Sequence, residues 1–323
     1  MQERDSFDSL RASTHSGEII LRFGGDCLLA EHYERAVGDN AGFAFRDFDL
    51  LRTANIAMVN LESPVTLRGE KVEKPFNFRM NPRFLRALKE AGIGIVNIAN
   101  NHIFDFGEVG LDDTISYLDS VRIGHVGAGR NKSEAHRPYV ATVWGRRVGF
   151  LGYYGGGESP AATAGQSGVA MRDIDLIRAD IVALRKKDMA DFVVVNLHWG
   201  NEKADTPDVW QVQLAHQIVD AGADAVIGHH PHVLQGIEKY KSGVIVYSMG
   251  NFVFGGNSRS SYTTGLFEIR LKDHDAEYRF IPVKIENWRA MELTGSAGDS
   301  VIQQVQELSR IFPESIFTSK ENK

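Results

Sequence analysis

A single cysteine, Cys27, occurs in 323 residues. That excludes an internal disulfide framework, a cysteine zinc finger and a cysteine-held iron–sulfur cluster. Proline is scarce at nine residues against 32 glycines, a balance suited to an α/β protein with many tight strand-to-helix turns. Positive charge is not in excess: 36 Lys+Arg against 42 Asp+Glu leave a formal net charge of −6. Overall charge therefore supplies no attraction to nucleic acid or to an anionic membrane, and neither is expected as a partner. No window approaches the ~20 apolar residues of a membrane helix. The opening MQERDSFDSLRASTHSG lacks the apolar stretch of roughly 7–15 residues that a secretory signal needs. The expected location is the cytoplasm. What remains is a chain long enough to bury a core without a covalent or metal staple.

Along the chain, short apolar runs alternate with helical patterns. Strands are expected at Glu18–Phe23, Ile56–Val59, Ile93–Ile98, Ile123–Val126, Phe192–Leu197, Ala225–Ile227, Val244–Tyr247, Gly265–Leu271 and Tyr278–Ile285. Tyr139–Val143 and Arg147–Leu151 flank Trp144-Gly145-Arg146 as a hairpin. The continuous apolar run Phe192–Leu197 is typical of a strand buried on both faces. Helices are expected over Pro82–Ala91, Gly110–Ser120, Ile174–Lys187 and about Val301–Ile311, with a further one opened by Thr206-Pro207 and ended by Gly222. No linker-like break interrupts this series. The organisation reads as a polar segment over 1–17, one large α/β domain over 18–290, and a C-terminal helix and tail over 291–323.

Five strand signals end in groups able to bind metal: Asp26, Glu62, Asn101-His102, His198, and His230-Pro231-His232. In open α/β sheets ligands bind where the carboxyl ends of strands converge. Carboxylates, an amide oxygen and imidazoles without a thiolate set suit a hard-to-borderline divalent cation. Any one Asp after a strand is usually a turn residue or helix cap, and a lone His is usually solvated. Three imidazoles within His229–His232 have no packing rationale, and five strand ends together point to a metal site. His-x-His on an extended segment would place both rings on one side.

These segments resemble the CapA/PgsA-type poly-γ-glutamate capsule biosynthesis proteins, within the calcineurin-like metallophosphatase superfamily. The matching residues are Gly25-Asp26, Asn60-Leu61-Glu62-Ser63-Pro64, Asn100-Asn101-His102 with Asp105, Gly107 and Gly110, His198-Trp199-Gly200-Asn201-Glu202, Gly228-His229-His230-Pro231-His232-Val233 with Gln235, and Tyr247-Ser248-Met249-Gly250-Asn251-Phe252. They span about residues 18 to 255. The resemblance implies a four-layer αββα fold: a two-sheet β-sandwich flanked by helices, with a metal site at the strand ends. It implies Asp26 as a metal ligand, Glu62 as a bridging carboxylate, and Asn101, His198, His230 and His232 as the remaining ligands. His102 would protonate a leaving oxygen, with Asp105 orienting or tuning it. Such an imidazole–carboxylate pair is expected to titrate near neutral pH.

Two departures stand out. Superfamily phosphatases usually carry Asp-x-His where this chain has Asp26-Cys27-Leu28, and Gly-Asp-x-x-Asp where it has Asn60-Leu61-Glu62. One or two divalent ions (Mn, Fe, Zn or Mg) therefore remain open, and Cys27 is expected to be a buried neighbour of the site. Around it, Arg79 either clamps a carboxylate or phosphate or lies on a solvated loop. Glu202 either supports a ligand imidazole or is a plain surface residue. His229 is expected behind the ligands or facing substrate, and Asn251 as a lining or turn residue. Tyr153–Glu158 reads as a mobile loop offering tyrosine contact area. The function so implied is a metal-dependent hydrolase acting on a phosphoester or an acyl/peptidyl bond of a small-molecule, peptide or polyglutamate-like anionic substrate. A metal-dependent peptide epimerase and a non-catalytic capsule assembly or poly-γ-glutamate-binding protein are the alternatives. The sequence is silent on oligomeric state.

Overall fold

The computed structural model describes residues 17–273 and 275–318. The polar segment up to residue 16 and the last five residues lie outside it. In chain order the first part runs β1 (Ile19–Leu28), α1 (His32–Val37), β2 (Ile56–Leu61), α2 (Arg83–Glu90), β3 (Ile93–Asn97), α3 (Gly107–Ser120) and β4 (Gly124–Val126). The middle holds the two-residue β5 (Ala128–Gly129), α4 (Lys132–Ala135), β6 (Tyr139–Val143), β7 (Arg146–Tyr154), the two-residue β8 (Gly168–Val169), α5 (Ile174–Lys186), β9 (Phe192–His198) and α6 (Val209–Asp220). Last come β10 (Ala225–His229), β11 (Ile237–Tyr240), β12 (Gly243–Val246), β13 (Asn251–Phe254), β14 (Tyr262–Leu271), β15 (Ala276–Glu286), β16 (Arg289–Glu292) and α7 (Gly295–Leu308).

The larger sheet has the order β16-β15-β14-β1-β2-β3-β4, with β13 paired parallel to the far end of β1. The second has the order β11-β12-β10-β9-β7-β6. Their parallel centres are β1 to β4 and β12-β10-β9-β7, and antiparallel strands complete the edges. Period-two alternation explains why they stack. On β9, Phe192 and Val194 enter the core between the sheets, while Val193, Val195 and Leu197 face α5 and α6. On β2, Ile56 and Met58 enter the same inter-sheet core, while Ala57, Val59 and Leu61 face the layer built from α2 and α3. Each fully buried Phe, Val or Leu contributes ~1.5–3 kcal/mol. The result is the expected four-layer αββα sandwich. α7 lies against β15 and closes one end of the inter-sheet core with Val301 and Val305.

Local chemistry explains most element ends. Trp144 and Gly145, at φ 48° and 83°, make the two-residue left-handed turn that joins β6 to β7. α6 differs from expectation. Its cap is Asp208, in a reciprocal capping box with Gln211, because two satisfied backbone donors outweigh the single cap that Thr206 offers. Tyr153 and Tyr154 are not loop contacts: both are buried at the end of β7, and the Tyr153 hydroxyl donates to Asp180 at 2.8 Å.

Candidate metal centre

Strand register brings the site together. Asp26 on β1 is opposite Asn60 on β2 and Asn251 on β13, and Asn60 is opposite Asn97 on β3. Four polar residues thus cross four adjacent strands. β1 reaches this row through a register irregularity between Phe23 and Asp26. Gly25 permits it, since a Cβ there would lie 1.9 Å from the Gly250 carbonyl oxygen, and that carbonyl accepts the Asp26 N–H at 2.9 Å. In the second sheet, His198 on β9 is opposite His229 on β10 and Tyr154 on β7.

The side chains from both sheets meet. Asp26, Glu62 and His198 are fully buried. His232 Nδ1 lies 3.2 Å from Asp26 Oδ2 and its Nε2 3.4 Å from Glu62 Oε1. His198 Nε2 is 2.9 Å from Asn101 Oδ1, and the His198 and His230 rings are 4.6 Å apart. Asp26, Glu62 and His232 form one group with ligand atoms within 4.8 Å of one another, and Glu62, His198 and His230 form a second. Glu62 belongs to both. Glu202, which is exposed, forms a third such group with His230 and His232. Asn251 Oδ1 is 2.8 Å from His232 Nδ1.

His230 and His232 do not converge as alternate residues of an extended strand. β10 stops at His229, and His230 and His232 have φ values of 96° and 59°. A left-handed turn around Pro231 aims the two rings instead, and the His230 N–H donates to Asp26 Oδ2 at 3.2 Å. His229 is buried beneath them, with Nδ1 3.7 Å from Asp26 Oδ1. It faces the carboxylates and not an open cleft. Cys27 is buried in the helix-side core, and burial, followed by the Asp26 charge, pushes its thiol up. Leu28, where phosphatases usually carry His, enters that same core and brings no donor to the site.

Electrostatics and unpaired atoms bear on whether these residues fit a cation. Burial and the neighbouring Asp26 push the Glu62 carboxyl well above the ordinary range. Burial raises the Asp26 carboxyl too, but the hydrogen bond and charge of His232 outweigh it and hold the carboxyl low. Burial lowers the His232 imidazole, yet Glu62 and Asp26 overcome it and push the ring up to about 10. In the metal-free chain a His232 proton stands where a cation's charge would. Burial lowers His198, His230 and His229, the last to about 4, leaving neutral imidazoles ready to donate lone pairs. Glu62 Oε1, His230 Nδ1 and both His229 ring nitrogens are buried without a hydrogen-bond partner among the described residues. Such orphaned atoms are costly unless something else satisfies them. Two ligand atoms sharing an ion at ~2.0–2.2 Å lie about 3–4 Å apart, as the pairs above do. The donor set fits a divalent cation.

Beside this cluster, His102 Nδ1 pairs with Asp105 Oδ2 at 2.7 Å. Asp105 is fully buried, accepts the Phe78 N–H at 2.6 Å and forms an ion pair with Lys74. Lys74 also donates to the Asn101 carbonyl at 2.8 Å, and the Phe78 ring lies 4.4 Å from that of His102. Burial outweighs the hydrogen bond and charge of Asp105, so the His102 imidazole is held below its ordinary value. Arg79 is drawn elsewhere, its guanidinium lying 4.4 Å over the Phe106 ring.

Sequence reasoning gave no role to Lys74, Asn60 or Asn97. Lys74 ends a stretch of mixed charge, Arg68-Gly69-Glu70-Lys71-Val72-Glu73-Lys74, with no motif to single it out. Asn60 Nδ2 lies 2.9 Å from Asp26 Oδ1, 3.2 Å from Glu62 Oε2 and 3.2 Å from His198 Nδ1, and Asn97 donates to its oxygen at 2.9 Å. An asparagine at the end of the run Ile56–Val59 and another within Ile93–Ile98 were the available signals.

Two stacked sheets flanked by helices, with imidazoles and carboxylates at the strand ends, define a metallophosphatase-type fold. Solved structures agree. A hypothetical protein from Thermus thermophilus superposes with a TM-score of 0.52 at 17% identity, covering 83% of this chain and 100% of that one. A 5'-nucleotidase precursor from the same organism gives 0.50 at 16% identity, over 90% of this chain and 59% of that one. The chain belongs to the bacterial capsule synthesis protein PGA_cap family, whose model matches residues 20–256. The capsule biosynthesis protein CapA of Bacillus anthracis is 34% identical, over 86% of this chain and 70% of that protein. The PGA biosynthesis protein CapA of Bacillus subtilis (strain 168) is 31% identical, over 85% and 74%. The family resemblance read from the motifs is borne out. Among the described residues no helix is long and apolar enough to cross a membrane.

Proposed function

We propose that this member of the capsule synthesis family is a divalent-metal-dependent hydrolase that cleaves an acyl/peptidyl or phosphoester bond of an anionic substrate. The observation that carries the reading is the pair of donor groups sharing Glu62, beside a histidine whose far partners are already fixed. Asp26, Glu62 and His232 would hold one cation, and Glu62, Asn101, His198 and His230 a second, with His229 close enough to Asp26 to add a donor. A cation held there supplies Lewis acidity and a neutralising charge for an anionic oxygen. The relatives' names attach capsule and PGA synthesis to those proteins. Carried to this chain, they favour a glutamate polymer or peptide as substrate.

The chain's own groups then divide the work. Asp105 accepts the Nδ1 proton of His102, which fixes the tautomer and leaves Nε2 for the substrate. Lys74 and the Phe78 N–H hold Asp105 so that the ring cannot turn away. Neutral His102 would take a proton at Nε2 from the water that adds to the acyl or phosphoryl centre, the charge of the anionic substrate favouring the imidazolium, which would pass that proton to the leaving oxygen or nitrogen as its bond breaks. The buried Tyr154 ring lies 6.0 Å from that of His198.

His102→Ala is expected to lower turnover ~10²–10⁴-fold with metal affinity unchanged. The assay is a panel of phosphoester and γ-glutamyl peptide substrates with metal-loaded protein, alongside calorimetric metal titration. Equal turnover by the variant, or no metal binding by the parent chain, sinks the proposal.

A further inference from the structure

A small cleft adjoins the cluster, shares His232 and Asn251 with it, and has a volume of about 120 Å³. Its other walls come from the loop after β13, the start of β14 and Gln304 of α7. None of the lining residues is acidic. Besides His232, the one basic side chain lining it is Arg259, exposed on the loop between β13 and β14 and, among the described residues, in no ion pair with a carboxylate. The guanidinium lies instead 5.5 Å from the centre of the Tyr262 ring. That ring is a fixed platform: the Tyr262 hydroxyl donates to the Phe252 carbonyl at 2.5 Å and accepts the Phe254 N–H at 3.0 Å. A guanidinium steadied by an aromatic face keeps its fork of N–H donors for a ligand. Asn251 faces the cleft with its oxygen already engaged by His232, leaving its amide NH₂ to donate. Gln304 and Thr263 add further donors at the rim.

We propose that this cleft is an anion subsite in which Arg259, aided by Asn251 and Gln304, takes a carboxylate or phosphate group of the substrate next to the metal centre. The size bears on what carries the anion. Ligand pockets for whole small molecules run ~300–1,000 Å³, whereas this volume equals about four waters at ~30 Å³ each. It suits an anionic group on a chain of a few carbons. The subsite would thus take short acidic side groups. This inference rests on the metal-centre reading for its position beside the reacting bond, and on the cleft itself for its chemistry.

The test is calorimetric binding to the full chain, metal-loaded and metal-free, with a γ-linked tetraglutamate in one arm and inorganic phosphate in the other. Arg259→Gln is expected to weaken binding in at least one arm about tenfold. Arg259→Lys, which keeps the charge and loses the fork, is expected to fall between. Whichever arm responds identifies carboxylate or phosphate as the group recognised. Arg259 is exposed, so the thermal midpoint should not move and metal affinity should stay at the parent value. Equal binding by Arg259→Gln and the parent chain in both arms, or no binding of either probe by the parent, overturns the subsite. The proposed function fails separately, on absence of metal binding, and the metal-free arms still decide the role of Arg259.

Discussion

Asn60 gives the sharpest test of how the site is held. Its amide nitrogen touches three candidate ligands, Asp26, Glu62 and His198, and the residue is fully buried. Hydrogen bonds to charged groups contribute ~1.5–3 kcal/mol each, and an unsatisfied buried partner costs ~1–3 kcal/mol. One amide cannot serve three acceptors at full strength, so Asn60→Ala should destabilise the metal-free chain by about 2–3 kcal/mol. Loss of a residue that holds metal ligands in place typically changes metal affinity ~10–100-fold, equivalent to about 1.4–2.7 kcal/mol. By the thermodynamic cycle, the two legs add, so the cost in saturating metal should rise to about 3.4–5.7 kcal/mol. Urea unfolding with chelator and with excess Mn²⁺, together with calorimetric titration, measures each leg. Asn60→Asp adds an arm, because it sets a third carboxylate beside Asp26 and Glu62. It should fold less well than Asn60→Ala without metal and regain most of the deficit with it, since only a cation offsets the added repulsion. An Asn60→Ala protein within 0.5 kcal/mol of the parent (about the spread of neutral surface changes) and with unchanged metal affinity would refute the reasoning.

Two further outcomes follow from the same geometry. Lys74→Met removes the cation paired with fully buried Asp105, while Lys74 itself is only 17% exposed. Breaking a buried pair costs ~3–5 kcal/mol, and the partial exposure lowers the expectation to ~2–3 kcal/mol by urea unfolding, with a smaller loss for Lys74→Arg. Metal uptake should also release protons at pH 7, because His232 is pushed up to about 10 and Glu62 is raised by burial and Asp26. Both protonated forms compete with a cation, so affinity should rise as pH rises toward about 10. Calorimetry in buffers of different ionisation heat should find at least one proton released per ion, and none released would contradict the assignment of His232.

Much of the fold was legible because its signals are local. The run Phe192–Leu197 reads as a strand buried on both faces, and β9 has that environment at the centre of its sheet. The hairpin at Trp144-Gly145 and the helix after Pro82 follow from turn and first-turn proline chemistry, and the helix over Ile174–Lys186 from its apolar pattern. Shorter pieces were hidden. β13, β11 and the two-residue β5 and β8 exist because another strand lies alongside, and their own residues carry little period. The same limit applied to α6, where a pairwise capping box at Asp208 and Gln211 displaced a plausible single cap.

The candidate site divides along the same line. Residue types at strand ends were enough to name Asp26, Glu62, Asn101, His102, His198, His230 and His232, because imidazoles and carboxylates clustered at turns have few packing uses. Sequence by itself determined that vocabulary and the alternating strands and helices of one large α/β domain, and the family resemblance implied the four-layer architecture. Tertiary structure decided the arrangement: that Glu62 belongs to two donor groups, that His230 and His232 converge through a left-handed turn, that Lys74 anchors Asp105, and that Arg79 stacks on Phe106 while Arg259 lies over Tyr262 in the cleft it shares with His232. The physical reason is that side-chain identity and strand period act over a few residues. Ion pairs, buried amide contacts and cleft walls form between residues tens to hundreds of positions apart, and only packing two sheets together brings those positions within a few ångströms.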